Sequence, residues 1–196
     1  NVNGVFWSDL GISQKDTQSS ETEKPTIQPE VYRTVSIDIA ALNLLLNSAP
    51  LESQVSAKES TAIISLPLPD GLSESFSFVN SPVMAPELAD KYPEIRVFLG
   101  QGIENPTHTV RFDLTPQGFH AMILHSGSTI YIDPFTSGDL AKCISYTKAG
   151  FYETTDKVHG GCIVKKDVLS SMKKMEEEIG LSLDGIDTVG KRSYWR

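Results

Sequence analysis

The chain has 196 residues, 39% apolar and 21% charged, enough for one domain with a real core if the polar part gathers in tails and loops. Its 17 basic and 25 acidic residues give a net charge of −8, which argues against a general nucleic-acid binder and a polybasic membrane anchor. No apolar run approaches the length of a membrane-spanning helix, and two cysteines, Cys143 and Cys162, exclude a disulfide-rich scaffold or a four-cysteine zinc module.

The chain opens at Asn1 without an initiator Met, and Asn1-Val2-Asn3-Gly4 lacks the charged-then-apolar pattern of a signal peptide. A removed export signal is the favoured reading, which places the protein outside the cell or on its surface. A cut fragment is the alternative. Residues 1–30 read as a flexible N-terminal arm. The stretch 8–30 is rich in Ser, Thr and Glu and nearly free of aromatics, and Phe6 and Trp7 before it suit a hydrophobic plug that docks elsewhere.

A β-rich core is expected over residues 31–165. Val31, Val35, Ile37 and Ile39 alternate with polar neighbours as in a half-buried strand. Ala40 to Asn47 is a short helix or turn. Thr61 to Leu66 is a β-branched run closed by the turn Pro67-Leu68-Pro69-Asp70-Gly71, and Glu74 to Val79 puts Phe76 and Phe78 on one face. Ser81 to Tyr92 reads as a short helix with Pro86 in its first turn. Ile95, Val97 and Leu99 form the next strand, and Gly100-Gln101-Gly102 starts a loop that runs to Pro106.

Residues 107–133 carry the clearest pattern. Val110, Phe112 and Leu114 alternate, Thr115 to Gly118 turns, Phe119 to His125 is a strand, Ser126-Gly127 turns again, and Thr129 to Asp133 is a third strand. The meander predicts Val110, Phe112, Phe119, Ala121, Ile123, Ile130 and Ile132 facing inward. Cys143 to Thr147 is a further strand. An amphipathic helix is expected over 166–180, capped by Asp167 and stopped by Gly180, followed by a linker over 181–196. The fold class is mainly β: an antiparallel sandwich or open barrel with two or three short helices.

Catalytic signatures are lacking: the sequence has no Gly-x-Ser-x-Gly elbow, no P-loop and no His-Glu-x-x-His helix. His108 and His120 lie in the meander and are candidates for a cross-strand metal pair. Asp113, His120 and a serine can be drawn as a triad, without a nucleophile turn to support it. Asp133 and Asp139 are the one loop carboxylate pair in the ordered part. His159-Gly160-Gly161-Cys162-Ile163 is the most informative stretch. Cys162 is bonded to Cys143, or is a small buried hydrophobe, or offers its thiolate to a metal held by another domain.

A series of short stretches is similar to a known family. Ser65-Leu66-Pro67-Leu68-Pro69-Asp70-Gly71, Ser81 to Ala89, Lys91 to Ile95, Gly100 to Ile103, Arg111 to Ala121, Tyr131 to Pro134 and Ser145-Tyr146 occur in order. Together they resemble the N-terminal propeptide region of secreted bacterial reprolysin-like (adamalysin-type) zinc metallopeptidases, over about residues 31–150. Arg192 to Arg196 resembles the start of that family's catalytic domain.

The resemblance implies a non-enzymatic prodomain whose partner is its own metalloprotease catalytic domain. It implies no cofactor in this chain and a zinc in that domain. Residues 152–165 would fill the substrate cleft, with Cys162 on the zinc as a cysteine switch, and Lys191 and Arg192 would mark the cleavage region. In the best-known switch a Gly follows the Cys; here Ile163 follows and two glycines precede. A Cys143–Cys162 disulfide would disable it. An adhesion or ligand-binding β-sandwich at the cell surface is the alternative, and an independent hydrolase is third.

Overall fold

Residues 6–14 and 24–155 are described by a computed structural model. Among them the elements run β1 (Trp7–Gln14), β2 (Val31–Ile37), α1 (Ile39–Asn47), a 3₁₀ turn (Ala57–Glu59), β3 (Ile63–Pro67), β4 (Ser73–Asn80), α2 (Pro86–Lys91), β5 (Arg96–Gly102), β6 (Thr109–Thr115), β7 (Gly118–His125), β8 (Ser128–Pro134), β9 (Lys142–Thr147) and α3 (Lys148–Thr155). All nine strands join one antiparallel sheet in the order β1-β2-β9-β8-β7-β6-β5-β4-β3. The sheet is a meander from β3 to β9, extended past β9 by β2 and β1. It curls into a half-barrel, so of the two expected architectures the open barrel is the one adopted.

The concave face carries the main core. Phe76 and Phe78 on β4, Phe98 on β5, Val110 and Phe112 on β6, Phe119, Ala121 and Ile123 on β7, and Ile130 and Ile132 on β8 are all buried there. All seven residues predicted inward in the meander are among them. Period two explains this: one face of each strand is apolar and the pleat puts it on one side. Helix α1 adds Leu42, Leu45 and Leu46 to the core. Asp38 caps it by accepting from Ala41 N at 3.0 Å. Arg96 at the start of β5 donates to Asn43 and Asn47 of α1, which ties the helix to that end of the sheet.

The two edges of the curled sheet meet through side chains. Trp7 Nε1 on β1 donates to Ser65 O on β3 at 2.7 Å, and Ser145 Oγ on β9 donates to Pro67 O at 2.8 Å. Buried Arg33 on β2 donates to Leu68 O at 3.2 Å and Leu72 O at 2.6 Å in the β3–β4 turn, and to Asp9 at 3.0 Å. Trp7 and Ser145 thus bond carbonyls of the edge strand β3, Arg33 adds bonds to the turn after it, and the half-barrel is closed without a backbone ladder. On the outer face Tyr32, Phe135, Ile144 and Tyr146 form a second cluster, with Ile27, Tyr131 and Phe151 packed against it.

Three expectations are corrected. The arm expected over 1–30 contains a strand. Trp7–Gln14 pairs with β2 through a bulge at Leu10, where Gly11 takes φ +106°, and Phe6 and Trp7 dock in the core. Five consecutive exposed residues, Ser8 to Ile12, hide this strand from a pattern reading, because its stability comes from backbone pairing.

Of the loop expected from Gly100 to Pro106, Gly100–Gly102 is the end of β5, and the loop starts at Ile103. The buried positions there are Phe98, Gly100 and Gly102, while Val97 and Leu99 are only half-buried. A Cβ on Gly100 would fall 2.7 Å from Val110 Cγ1, so glycine is what lets the neighbouring strands' side chains fill that space.

Lys148–Thr155 is a helix that the sequence did not announce, so residues 152–155 of the expected cleft-filling segment are helical. Residues 156–196 lie outside the described residues. They hold His159, Cys162, Lys191, Arg192, the expected helix over 166–180 and the linker over 181–196.

Candidate functional site

Strands β4, β5, β6 and β7 are neighbours, so the start of β4, the end of β5, the start of β6 and the end of β7 share one end of the sheet. It is opposite the end tied to α1. The inward rows stop being apolar there. Glu74 continues the row of Phe76 and Phe78, His108 that of Val110 and Phe112, and His125 that of Ala121 and Ile123. The β6–β7 register pairs Thr109 with Leu124, and one further step opposes His108 to His125. A polar cap therefore closes the apolar core.

The cap is tightly built. His108 Nδ1 lies 2.7 Å from Glu74 Oε1, with both side chains more than nine-tenths buried. Asn105 Nδ2 lies 3.0 Å and Ser126 Oγ 3.3 Å from His108 Nε2. The Asn105 amide nitrogen can only donate, which makes His108 Nε2 the acceptor there and leaves Nδ1 to donate to the carboxylate. The His125 ring sits over that of His108, with centroids 4.0 Å apart. Gly102 makes the space. A Cβ there would lie 3.2 Å from Glu74 Oε1 and 2.4 Å from Asn105 O.

Glu74 Oε2 is buried without a hydrogen-bond partner, a state shared among the described residues only by Arg33 Nε. A buried unpaired acceptor costs about 1–3 kcal/mol, more when charged. One ligand atom from each of Glu74, His108 and His125 lies within 4.8 Å of the others.

A second polar row crosses the outer face. Asp113 on β6 pairs with His120 on β7, with Oδ1 and Nδ1 3.2 Å apart. On β8, Asp133 accepts from Tyr146 OH at 2.7 Å. The Asp113 carboxylate holds the His120 imidazole above its ordinary pKa, against the opposing effect of partial burial, and Asp133 adds to the rise. Burial raises the Asp133 carboxyl, partly offset by the Tyr146 hydrogen bond. Burial, then the Asp133 bond, pushes the Tyr146 phenol up.

A His with a raised folded-state pKa stabilises the fold below its unfolded value and loses that contribution as pH rises through the folded one. His120 is expected to titrate above its ordinary 6.5, and Asp113→Asn to bring it down. An NMR titration of the imidazole resonances checks this. An unmoved His120 in the variant would mean that Asp113 does not hold the proton.

The sequence-predicted groups are sorted by this geometry. His108 and His120 do not form a pair: the register opposes His108 to His125 and His120 to Asp113, on opposite faces. Asp113 and His120 do meet, but the next groups along the row are Asp133 and Tyr146 instead of a serine. Asp133 and Asp139 have separate roles, since Asp139 Oδ1 accepts from Ala141 N at 2.8 Å and Lys142 N at 3.0 Å in a turn.

Cys143 is a free, fully buried thiol, and Cys162, its candidate disulfide partner, lies outside the described residues. Burial, then Asp139 and Asp133, pushes its pKa up to about 12. The Glu74–His108–His125 cluster escaped the sequence reading. The signal available was the continuation of each inward row by one or two residues into Glu or His. Comparison with known proteins gives no match: no family model, no curated protein and no solved structure is similar to this chain.

Proposed function

We propose that this chain is the prodomain of an exported zinc metalloprotease of the reprolysin-like type. It keeps the protease latent by occupying its cleft with residues from 152 to 165, and assists its folding. The zinc is the protease's own, and this chain offers the Cys162 thiolate to it. The order of the stretches that resemble the family supports this reading; those between residues 65 and 146 fall on β3 and its turn to β4, on α2 and its flanks, on the end of β5, on the β6–β7 hairpin, on β8 and on β9.

The observation that carries the switch is the state of Cys143. A free thiol with 0% exposure and a pKa raised to about 12 is neither a ready disulfide partner nor a zinc ligand at neutral pH. Of the chain's two cysteines, that leaves Cys162 for the role.

The test is inhibition of the metalloprotease catalytic domain that this reading assigns to the chain as its partner. The wild-type chain is expected to inhibit it, and Cys162→Ser to inhibit much less, because a neutral hydroxyl is a poor zinc ligand. A thiol reagent applied to the native chain is expected to label Cys162 quickly and Cys143 only after unfolding. Equal inhibition by the Ser variant would remove the switch and leave steric blocking. No inhibition by either protein would overturn the prodomain reading in favour of the adhesion or ligand-binding module.

A further inference from the structure

We infer that Glu74, His108 and His125 form a binding site for a divalent transition-metal ion of the zinc type, separate from the zinc of any protease. Three observations meet at this end of the half-barrel. The donors converge, with a carboxylate oxygen and one nitrogen from each imidazole within 4.8 Å of one another. The carboxylate is more than nine-tenths buried, and its Oε2 has no hydrogen-bond partner. The third observation is that the backbone makes way for the cluster, since Gly102 occupies the position whose Cβ would crowd Glu74 Oε1 and the Asn105 carbonyl.

One carboxylate and two imidazoles are a donor set that zinc accepts with a fourth position left open. Calcium and magnesium prefer sites built from oxygen alone, and two of these three donors are nitrogen. Bonds of about 2.0–2.2 Å place ligand atoms roughly 3.3 Å apart around a tetrahedral ion. The Glu74–His108 contact of 2.7 Å therefore opens slightly, and His125 closes in.

His125 has the freedom to do so. It is half-buried at the end of β7, beside the exposed Ser126-Gly127 turn. The cation takes the place of the hydrogen bonds that now hold the two imidazoles. It also gives the buried Oε2 of Glu74 the partner it lacks. The site joins β4, β6 and β7, so metal bound there would stiffen the open end of the core.

The test uses the full chain carrying Cys162→Ser, so that this thiol does not contribute. After dialysis against a chelator, Zn²⁺ is titrated by calorimetry, with Mg²⁺ as the control. One Zn²⁺ per chain and no Mg²⁺ binding are expected. His125→Ala and Glu74→Gln are expected to weaken Zn²⁺ binding by more than roughly a hundredfold, beyond the loss typical of an outer-shell partner.

Glu74 is buried and its variant is at risk of misfolding. His125 lies at the rim, so a folded His125→Ala chain, checked by circular dichroism without metal, keeps the test decisive. Zn²⁺ binding no tighter than about 1 mM overturns the site. So does binding that survives His125→Ala unchanged. Because no protease is present, either result leaves the prodomain reading to its own assay.

Discussion

Phe112→Ala is expected to destabilise the chain by about 3–5 kcal/mol, the cost of truncating a fully buried Phe. Phe112 is 1% exposed and central to the concave core. Its ring stacks on Phe98 at 5.0 Å and meets Phe78 at 5.3 Å and Phe119 at 5.8 Å. Phe119 continues the row to Trp7 at 5.3 Å, so rings from β4, β5, β6, β7 and β1 are joined in series. Truncation opens a cavity that the rigid sheet cannot collapse, and removes three aromatic contacts of about 0.5–1.5 kcal/mol each.

Urea unfolding reads the effect as a lower midpoint with an unchanged slope. Phe112→Leu, which keeps most of the volume, is expected to cost less than about 1.5 kcal/mol. A Phe112→Ala loss no larger than that of the Leu variant would mean that the aromatic row does not hold the core.

This core was largely legible in the amino-acid sequence. From β6 to β8 apolar and polar residues alternate except in the run Ala121-Met122-Ile123-Leu124, and two short turns fix the register, so period two placed the inward side chains. Where the inward position has no side chain the same rule is blind. Gly100 and Gly102 are the inward residues of β5, and a pattern of apolar residues then selects Val97 and Leu99 from the other face. Strand β1 is hidden for a different reason. It is an edge strand whose exposed residues contribute backbone bonds to β2, and backbone bonds leave no trace in composition.

The cluster at the open end needed both pieces of information at once. Glu74, His108 and His125 are 17 or more residues apart in sequence. They meet because β4 is separated from β6 only by β5, which ends in a glycine at that level. Without the correct assignment of Gly102 to a strand, nothing links His108 at the head of the meander to Glu74, which reads as an ordinary strand end. The outer-face row was half visible, since Asp113 and His120 fall opposite each other in any two-strand register through the Pro116-Gln117 turn. Asp133 and Tyr146 join it only when β8 and β9 are paired.

Gly118→Ala carries the second large expected effect, a loss of about 3 kcal/mol or more from two separate causes. Gly118 opens β7 with φ +125°, a conformation that residues with a Cβ rarely adopt and that costs about 1–3 kcal/mol. A Cβ there would also lie 2.4 Å from Pro134 Cγ and 3.1 Å from Asp139 O. Neither neighbour can step aside easily. Pro134 ends β8, and the 134–139 segment is held to the β6–β7 turn by Gly138 N donating to Gln117 O at 3.0 Å. Forcing a methyl into such a contact adds about 1–3 kcal/mol.

Gly127 supplies the control. It has φ +83° in the β7–β8 turn, and nothing lies within 4 Å of the Cβ that alanine would add. Gly127→Ala therefore meets the backbone cost alone. For a chain of this size 1 kcal/mol moves the melting temperature by about 2–4 °C, so Gly118→Ala is expected to melt about 6–12 °C below the parent, and Gly127→Ala less. Equal melting of the two variants would show that Pro134 and the 134–139 segment yield to the methyl, and that the junction between the β6–β7 hairpin and the end of β8 is looser than its contacts indicate.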